Sequence, residues 1–242
     1  MNQGTRPEPE SWDEATDLRR FWWLVPPLTF AFLTIGVIYQ TGSLRGGDGL
    51  ERKDEAVHQV FRVGDAPEID IDNISGEILV EPGDVGTIEV SVQRQGVGTT
   101  EEAAFANLTR LQLRMQQFGD RVTVTTFEDP PSGIAGGTRA QIHVIVPRSA
   151  AVRVSTGSGL VQVNGVEGDI QARTGLGTVD VIVVRDAAFN LVVSATRLTT
   201  NFDLVTQKGA SDQSIRATVG VNPRRTFLLS APSGSVIIRH PE

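Results

Sequence analysis

Two stretches of this chain carry the same pattern eighteen residues apart. The first reads Val152-Arg-Val154-Ser-Thr156-Gly157-Ser-Gly159-Leu-Val161-Gln-Val163, and the second Ile170-Gln-Ala172-Arg-Thr174-Gly175-Leu-Gly177-Thr-Val179-Asp-Val181. Apolar residues recur at every second position on both sides of a Thr-Gly-x-Gly corner, which is the period of a half-buried strand and not of a helix. A unit of about 20 residues cannot enclose its own apolar face, so it must stack on further copies. Looser copies occur at 191–205, 215–221 and 227–238, the last with Gly234 at its corner. The pattern predicts a mainly β, β-solenoid (β-helix-like) domain. Gly157, Gly159, Gly175, Gly177 and Gly234 are its expected turn residues, because glycine tolerates positive φ and close backbone approach without a Cβ penalty.

The domain is expected to span 57–242 in two sections. In 57–130, Glu68-Ile69-Asp70-Ile71-Asp72 and Ile88-Glu-Val90-Ser-Val92 again alternate. Thr99 followed by Glu102 makes a capping box ahead of Ala103, Ala104 and Ala106, which predicts one short helix near 100–107. Leu111-Gln-Leu113-Arg-Met115 and Val122-Thr-Val124, either side of Phe118-Gly119-Asp120, predict a hairpin with a loop of three to five residues. A Pro- and Gly-rich loop beginning at Pro130 opens the repeat section, 131–242. Residues 57–130 hold 13 acids and 5 bases, net −8, whereas 131–242 hold 7 acids and 11 bases, net +4. Arg224 and Arg225, beside Pro223, are the densest basic spot. Sections at opposite ends of the domain would give it an electric polarity and weak, salt-sensitive self-association.

Ahead of the domain, residues 21–44 contain no charged side chain, and 21–39 read FWWLVPPLTFAFLTIGVIY. About 20 helical residues at ~1.5 Å each cross a hydrocarbon layer of ~30 Å. Trp22 and Trp23 at one end and Tyr39 at the other suit the two interfaces, and Arg19 and Arg20 abut the N-terminal side. Residues 21–42 are therefore expected to be a single transmembrane helix in contact with membrane lipid. Residues 1–20 are expected to be a disordered cytoplasmic tail, and 43–56 (SLRGGDGLERKDEA) a flexible linker. Basic residues within about 20 positions are equal on the two flanks; the adjacency of Arg19 and Arg20 and the strand-rich C-terminal portion give the expectation of an N-terminus inside and a C-terminal domain outside the cell membrane.

Residues 71–80 (IDNISGEILV), Ile145-Val146-Pro147-Arg148, the Thr-Gly-x-Gly copies and the terminal Ala231-Pro-Ser-Gly234-Ser-Val-Ile together resemble the DUF4097 family. These are bacterial cell-envelope proteins of adhesin and β-strand-repeat type. The resemblance runs over about residues 57–242 and rests on many weak positions. It implies a β-solenoid-like domain, often membrane-tethered, and carries over no catalytic residues.

Composition narrows the chemistry. With no cysteine, a thiol nucleophile, a thiolate metal site and an iron–sulfur cluster are excluded. Lys53 and Lys208 are the only lysines, and a net charge of −7 argues against nucleic acid as a partner. The Gly-x-Gly corners lead into strands, so they lack the helix that a dinucleotide loop requires. Glu68, Asp70, Asp72 and Asn73 carry oxygen ligands of the kind calcium takes, but alternation aims the three acids from one strand face into solvent. His58, His143 and His240 lie far apart in sequence, and His143, between Ile142 and Val144, is expected on an outer strand face. No Gly-x-Ser-x-Gly elbow is present. Every tryptophan and the one tyrosine fall within residues 1–39, which leaves phenylalanine as the domain's only aromatic side chain and disfavours a sugar-stacking groove.

The expectation is a non-enzymatic, membrane-anchored envelope protein with no cofactor, metal or catalytic residue. Its adhesin-like repeat domain would serve as a scaffold or interaction surface for a protein or envelope polymer. Two other readings stay open: a polysaccharide-acting β-helix enzyme with paired carboxylates across a groove, and a membrane-bound regulator signalling through its N-terminal tail. Two or more carboxylates with an arginine in one groove would favour the enzyme.

Overall fold

The eighteen-residue offset is realised as parallel pairing of whole strands. The structure is a computed structural model that describes residues 43–45, 49–129, 137–207 and 214–241. The expected tail, transmembrane helix (21–42) and membrane-flank residues lie outside the described residues, as does most of the loop from Pro130. Among the described residues, no helix is long and apolar enough to cross a membrane.

In chain order the elements are β1 (Ser43–Arg45), β2 (Glu51–Arg62), β3 (Glu68–Asn73), β4 (Ile78–Gly83), β5 (Thr87–Gly98), α1 (Glu101–Arg110), β6 (Leu111–Phe118), β7 (Arg121–Glu128), β8 (Thr138–Pro147), β9 (Ala151–Asn164), β10 (Ile170–Ile182), β11 (Phe189–Thr200), β12 (Val205–Gln207), β13 (Ser214–Val219) and β14 (Arg225–Arg239). Among the described residues the domain is mainly β with one helix, and its sheet does not close on itself. β9 and β10 pair in parallel with Val152 opposite Ile170 and Val163 opposite Val181, which keeps the sequence offset without a slip. β14 continues the stack on the far side of β10, and β11 lies beyond it.

β9 and β10 change direction at their Thr-Gly-x-Gly corners and β14 at Ala231-Pro-Ser-Gly234, and burial records the change. In β9 the even residues Val152, Val154 and Thr156 are buried before the corner, and the odd residues Val161 and Val163 after it. β10 repeats the switch at Ile170, Ala172, Thr174 and then Val179, Val181; β14 does so at Phe227, Leu229, Ala231 and then Val236, Ile238. The first half of β9 pairs with β3 and the second half with β4, so β3 and β4 form one more broken strand with its corner at 74–77. The two arms enclose one continuous apolar core, to which each fully buried Ile, Val or Phe contributes roughly 1.5–3 kcal/mol.

Stacking does not follow chain order throughout. β14 is inserted between β10 and β11, and β3 and β4 lie between β7, β8 and β9. The stretch 215–221, expected as another copy, instead supplies β13, six residues without a corner that run antiparallel to β11. The two sections also interleave, because β8, from the repeat section, pairs with both β5 and β4. A parallel ladder accepts any strand whose apolar period and corner match, so adjacency in space is decided by fit and not by adjacency in sequence.

Other local expectations shift by a few residues. The helix runs to Arg110, and its N-cap is Thr100, not Thr99: the Thr100 hydroxyl accepts from the Ala103 N–H at 3.2 Å. Hydrogen bonds from its own backbone N–H and from Thr100 hold the Glu102 carboxyl below the ordinary carboxylate range. Ala104 and Leu108 bury one face of α1 against β5, where Gly96 and Gly98 leave room for the helix backbone. The hairpin of β6 and β7 closes with Phe118 opposite Arg121, so its loop is two residues, with Gly119 at φ 60°.

The expected linker 43–56 is corrected most. Residues 51–56 are the first half of β2, laddered to β5 from Glu51–Gly98 onward. Their polar side chains find partners there. Glu55 pairs with Arg94 at 2.5 Å, Asp54 accepts from Gln95 at 2.8 Å, and Lys53 reaches Glu101 at 2.5 Å. Arg94 also donates to the Leu111 carbonyl. A chain beginning at Val57 removes Glu55 and leaves that guanidinium half-buried beside an incomplete ladder. It is expected to melt several degrees below a chain beginning at Ser43 and to bind a hydrophobic dye; equal melting temperatures by circular dichroism would show that 43–56 contributes no stability.

Candidate functional site

Side chains that alternate out of the first arm of the sheet meet in a shallow hollow of about 280 Å³. β3 contributes Glu68 and Asp70, β7 Arg121 and β9 Arg153, with Asp169, Gln171, Thr226 and Leu228 along the other side. The ladder fixes the arrangement: Glu68 stands opposite Arg121, and Asp70 opposite Arg153, whose next neighbour is Gln171. Arg121 and Glu68 are 2.6 Å apart, Arg153 and Asp70 4.0 Å, and Arg153 Nε donates to the Gln171 side-chain oxygen at 3.1 Å. Asp169 accepts from the Thr226 N–H at 2.8 Å. Neighbouring strands lie ~4.8 Å apart, so charges on one rung are within pairing distance of each other.

This hollow gathers carboxylates and arginines in one groove. Its two acids on β3 project side by side from one strand and are each engaged by an arginine, so they do not face each other across a cleft. Asp72 is exposed on the same face, but Asn73 turns inward and is 2% exposed. Its amide donates to the Ala140 carbonyl at 3.0 Å and its oxygen accepts from the Thr126 hydroxyl at 2.7 Å, so it cannot join the three acids around a cation. Among the described residues, no group of three His, Asp or Glu could hold a metal ion.

The second arm brings together residues that are remote in sequence. His58, Ser91 and His143 share one rung across β2, β5 and β8 on the outer face. His58 Nδ1 lies 2.9 Å from Ser91 Oγ, and His143 Nε2 lies 2.8 Å from Glu81. The outer position of His143 agrees with its alternation. Its alignment with His58 had no signal in the sequence, because 85 residues separate them and only the strand order joins them. The backbone amides beside Ser91 serve the β-ladder, so the rung has no free donor pair to stabilise an oxyanion.

At the corners, the glycines stack in two rows. Gly157 and Gly175 lie on one rung, and Gly159, Gly177 and Gly234 on the next, where they meet Gly76. Gly159 and Gly177 have φ of 130° and 139°, whereas Gly157 and Gly175 lie outside the positive-φ region and are needed for close approach. Inside the corner, Thr156 and Thr174 are buried, and each hydroxyl donates to the backbone of its own turn, to Ser158 and Leu176 respectively. These residues therefore build the fold and do not line either hollow.

No family model matches this chain, and no curated protein matches it. Three solved structures of bacterial proteins show a weak likeness to this chain. A candidate cell adhesion protein from Clostridium sporogenes is 7% identical and superposes with a TM-score of 0.47 over 77% of this chain and 100% of its own. A candidate adhesin from Bacteroides fragilis is 10% identical, with a TM-score of 0.23 over 77% of this chain and 97% of its own. A third, from Parabacteroides distasonis, is 9% identical, with a TM-score of 0.21 over 60% of this chain and 58% of its own.

Proposed function

We propose that this chain is a non-enzymatic, membrane-anchored envelope protein. In this reading, residues 21–42 span the cell membrane once and a β-solenoid-like domain outside it acts as an adhesin-like scaffold or interaction surface. The observation that supports this is the outer face of β7, β3, β9 and β10. It is a shallow hollow over four strands joined by parallel ladders, set with Arg121, Glu68, Asp70, Arg153 and Gln171 at strand spacing. Such a row offers hydrogen bonds and charge to a partner laid across the strands, and requires no enclosed pocket. A polysaccharide-acting enzyme is the second reading, favoured by Glu68, Asp70 and Asp169 sharing that hollow with two arginines.

The test uses the full chain and an Arg121→Gln/Arg153→Gln variant, titrated against isolated cell envelopes. Saturable binding that weakens at least tenfold in the variant, at unchanged melting temperature, is the expected result. Equal binding by both forms would remove this face from the function. Release of reducing ends from envelope polysaccharide by the full chain, abolished in Asp70→Asn, would establish the enzyme instead. Anchoring is checked separately: the chain should resist alkaline carbonate extraction, and protease outside intact cells should remove its C-terminal domain.

A further inference from the structure

The turns closing β9–β10, β10–β11 and β13–β14 surround a second hollow, of about 520 Å³, lined by other residues than the first. Arg185, Arg224 and Arg225 line it together with Glu167, Asp186 and Asn222. Arg225 is 3.4 Å from Glu167, a loose pair. Arg185 and Arg224 are exposed, and among the described residues neither is ion-paired with a carboxylate. Three arginines against two acids leave the lining with one positive charge in excess in a protein whose net charge is −7.

The turns that carry these groups are fixed in place. Asn222 has φ 53° and is followed by Pro223, which sets the direction of the chain into Arg224 and Arg225. The Thr226 N–H donates to Asp169 at 2.8 Å, and the Glu167 N–H donates to the Arg148 carbonyl at 2.6 Å. The guanidinium groups therefore project from backbone that needs little further ordering to receive a ligand.

We propose that this hollow binds phosphodiester groups. A guanidinium fork matches two oxygens of a phosphoryl group, and a diester carries the single negative charge that balances the lining. A phosphodiester of either an anionic polymer or a lipid headgroup has this chemistry, and the two sources are separated by the probes of the test.

The full chain in detergent is titrated with a short poly(glycerol phosphate) oligomer, with polyglutamate of equal charge, and with phosphatidylglycerol vesicles. Expected is saturable oligomer binding that falls with salt, is at least tenfold weaker for polyglutamate, and is at least tenfold weaker in Arg185→Gln/Arg224→Gln. Both arginines are exposed, so that variant should melt with the native chain, and Arg139→Gln on β8 should bind as the native chain does. Absence of saturable binding at physiological salt, or equal binding by the double variant, would sink the proposal. Polyglutamate bound as tightly would reduce the site to general charge attraction, and vesicles bound more tightly than the oligomer would assign it to lipid. Release of the chain by alkaline carbonate, with oligomer binding retained, would overturn the anchor and leave the anion site standing.

Discussion

Gly177→Ala is expected to destabilise the domain by about 3 kcal/mol or more, among the largest effects of any single methyl group added to it. Two penalties act at once. Gly177 sits at φ 139°, a region that residues with a Cβ enter at a cost of about 1–3 kcal/mol. The added carbon would also fall far inside contact distance of the Gly159 carbonyl, a backbone atom held in the parallel ladder, and such overpacking costs about 1–3 kcal/mol more. Two controls separate the penalties. Gly119→Ala, at φ 60° with open space around its Cβ position, should show only the conformational part. Leu176→Ala, one residue away and 61% exposed, should change stability by less than about 0.5 kcal/mol. Urea unfolding of the three variants is the measurement. A Gly177→Ala midpoint no lower than that of Gly119→Ala would mean that the corners are not packed backbone to backbone.

Phe189→Ala should cost about 3–5 kcal/mol, the usual range for emptying a buried phenylalanine site. Phe189 has no exposed surface, stacks on Phe227 with centroids 4.3 Å apart, and meets Phe202 edge-on at 5.6 Å. Phe202 in turn packs edge-on against His240 at 5.4 Å. The three rings fill the core at β11, where the parallel pairing gives way to the antiparallel β13 and β12. Phe189→Leu should cost much less, and the Phe189/Phe227 double variant should depart from additivity by about 0.5 kcal/mol or more because the rings touch. A loss below about 1 kcal/mol in Phe189→Ala would show that this end of the core is open to water or loosely packed.

The candidate sites were partly legible. Alternation alone placed Glu68, Asp70 and Asp72 on an outer face and His143 on another, and the structure agrees on all four. It did not find Arg121 and Arg153 as their partners, since these lie 53 and 83 residues away from Glu68 and Asp70. Nor did it find the rung of His58, Ser91 and His143, or the meeting of Arg185 with Arg224 and Arg225. Charge and hydrogen-bonding capacity carry no address along the chain; strand order supplies it.

What the sequence determined by itself is the local geometry. The period of two, the Thr-Gly-x-Gly corners and the eighteen-residue offset dictate bent strands, their inner and outer faces and the register of β9 on β10, because each depends on sterics and burial within one repeat length. What only the tertiary structure decided is which strands become neighbours. β14 enters between β10 and β11, β8 between β5 and β4, and residues 51–56 become a strand because β5 offers an open ladder edge and partners for Glu55 and Asp54. A β-ladder has no hydrogen bonds within its own strand to fix it, so its stability is set by whichever remote edge completes it.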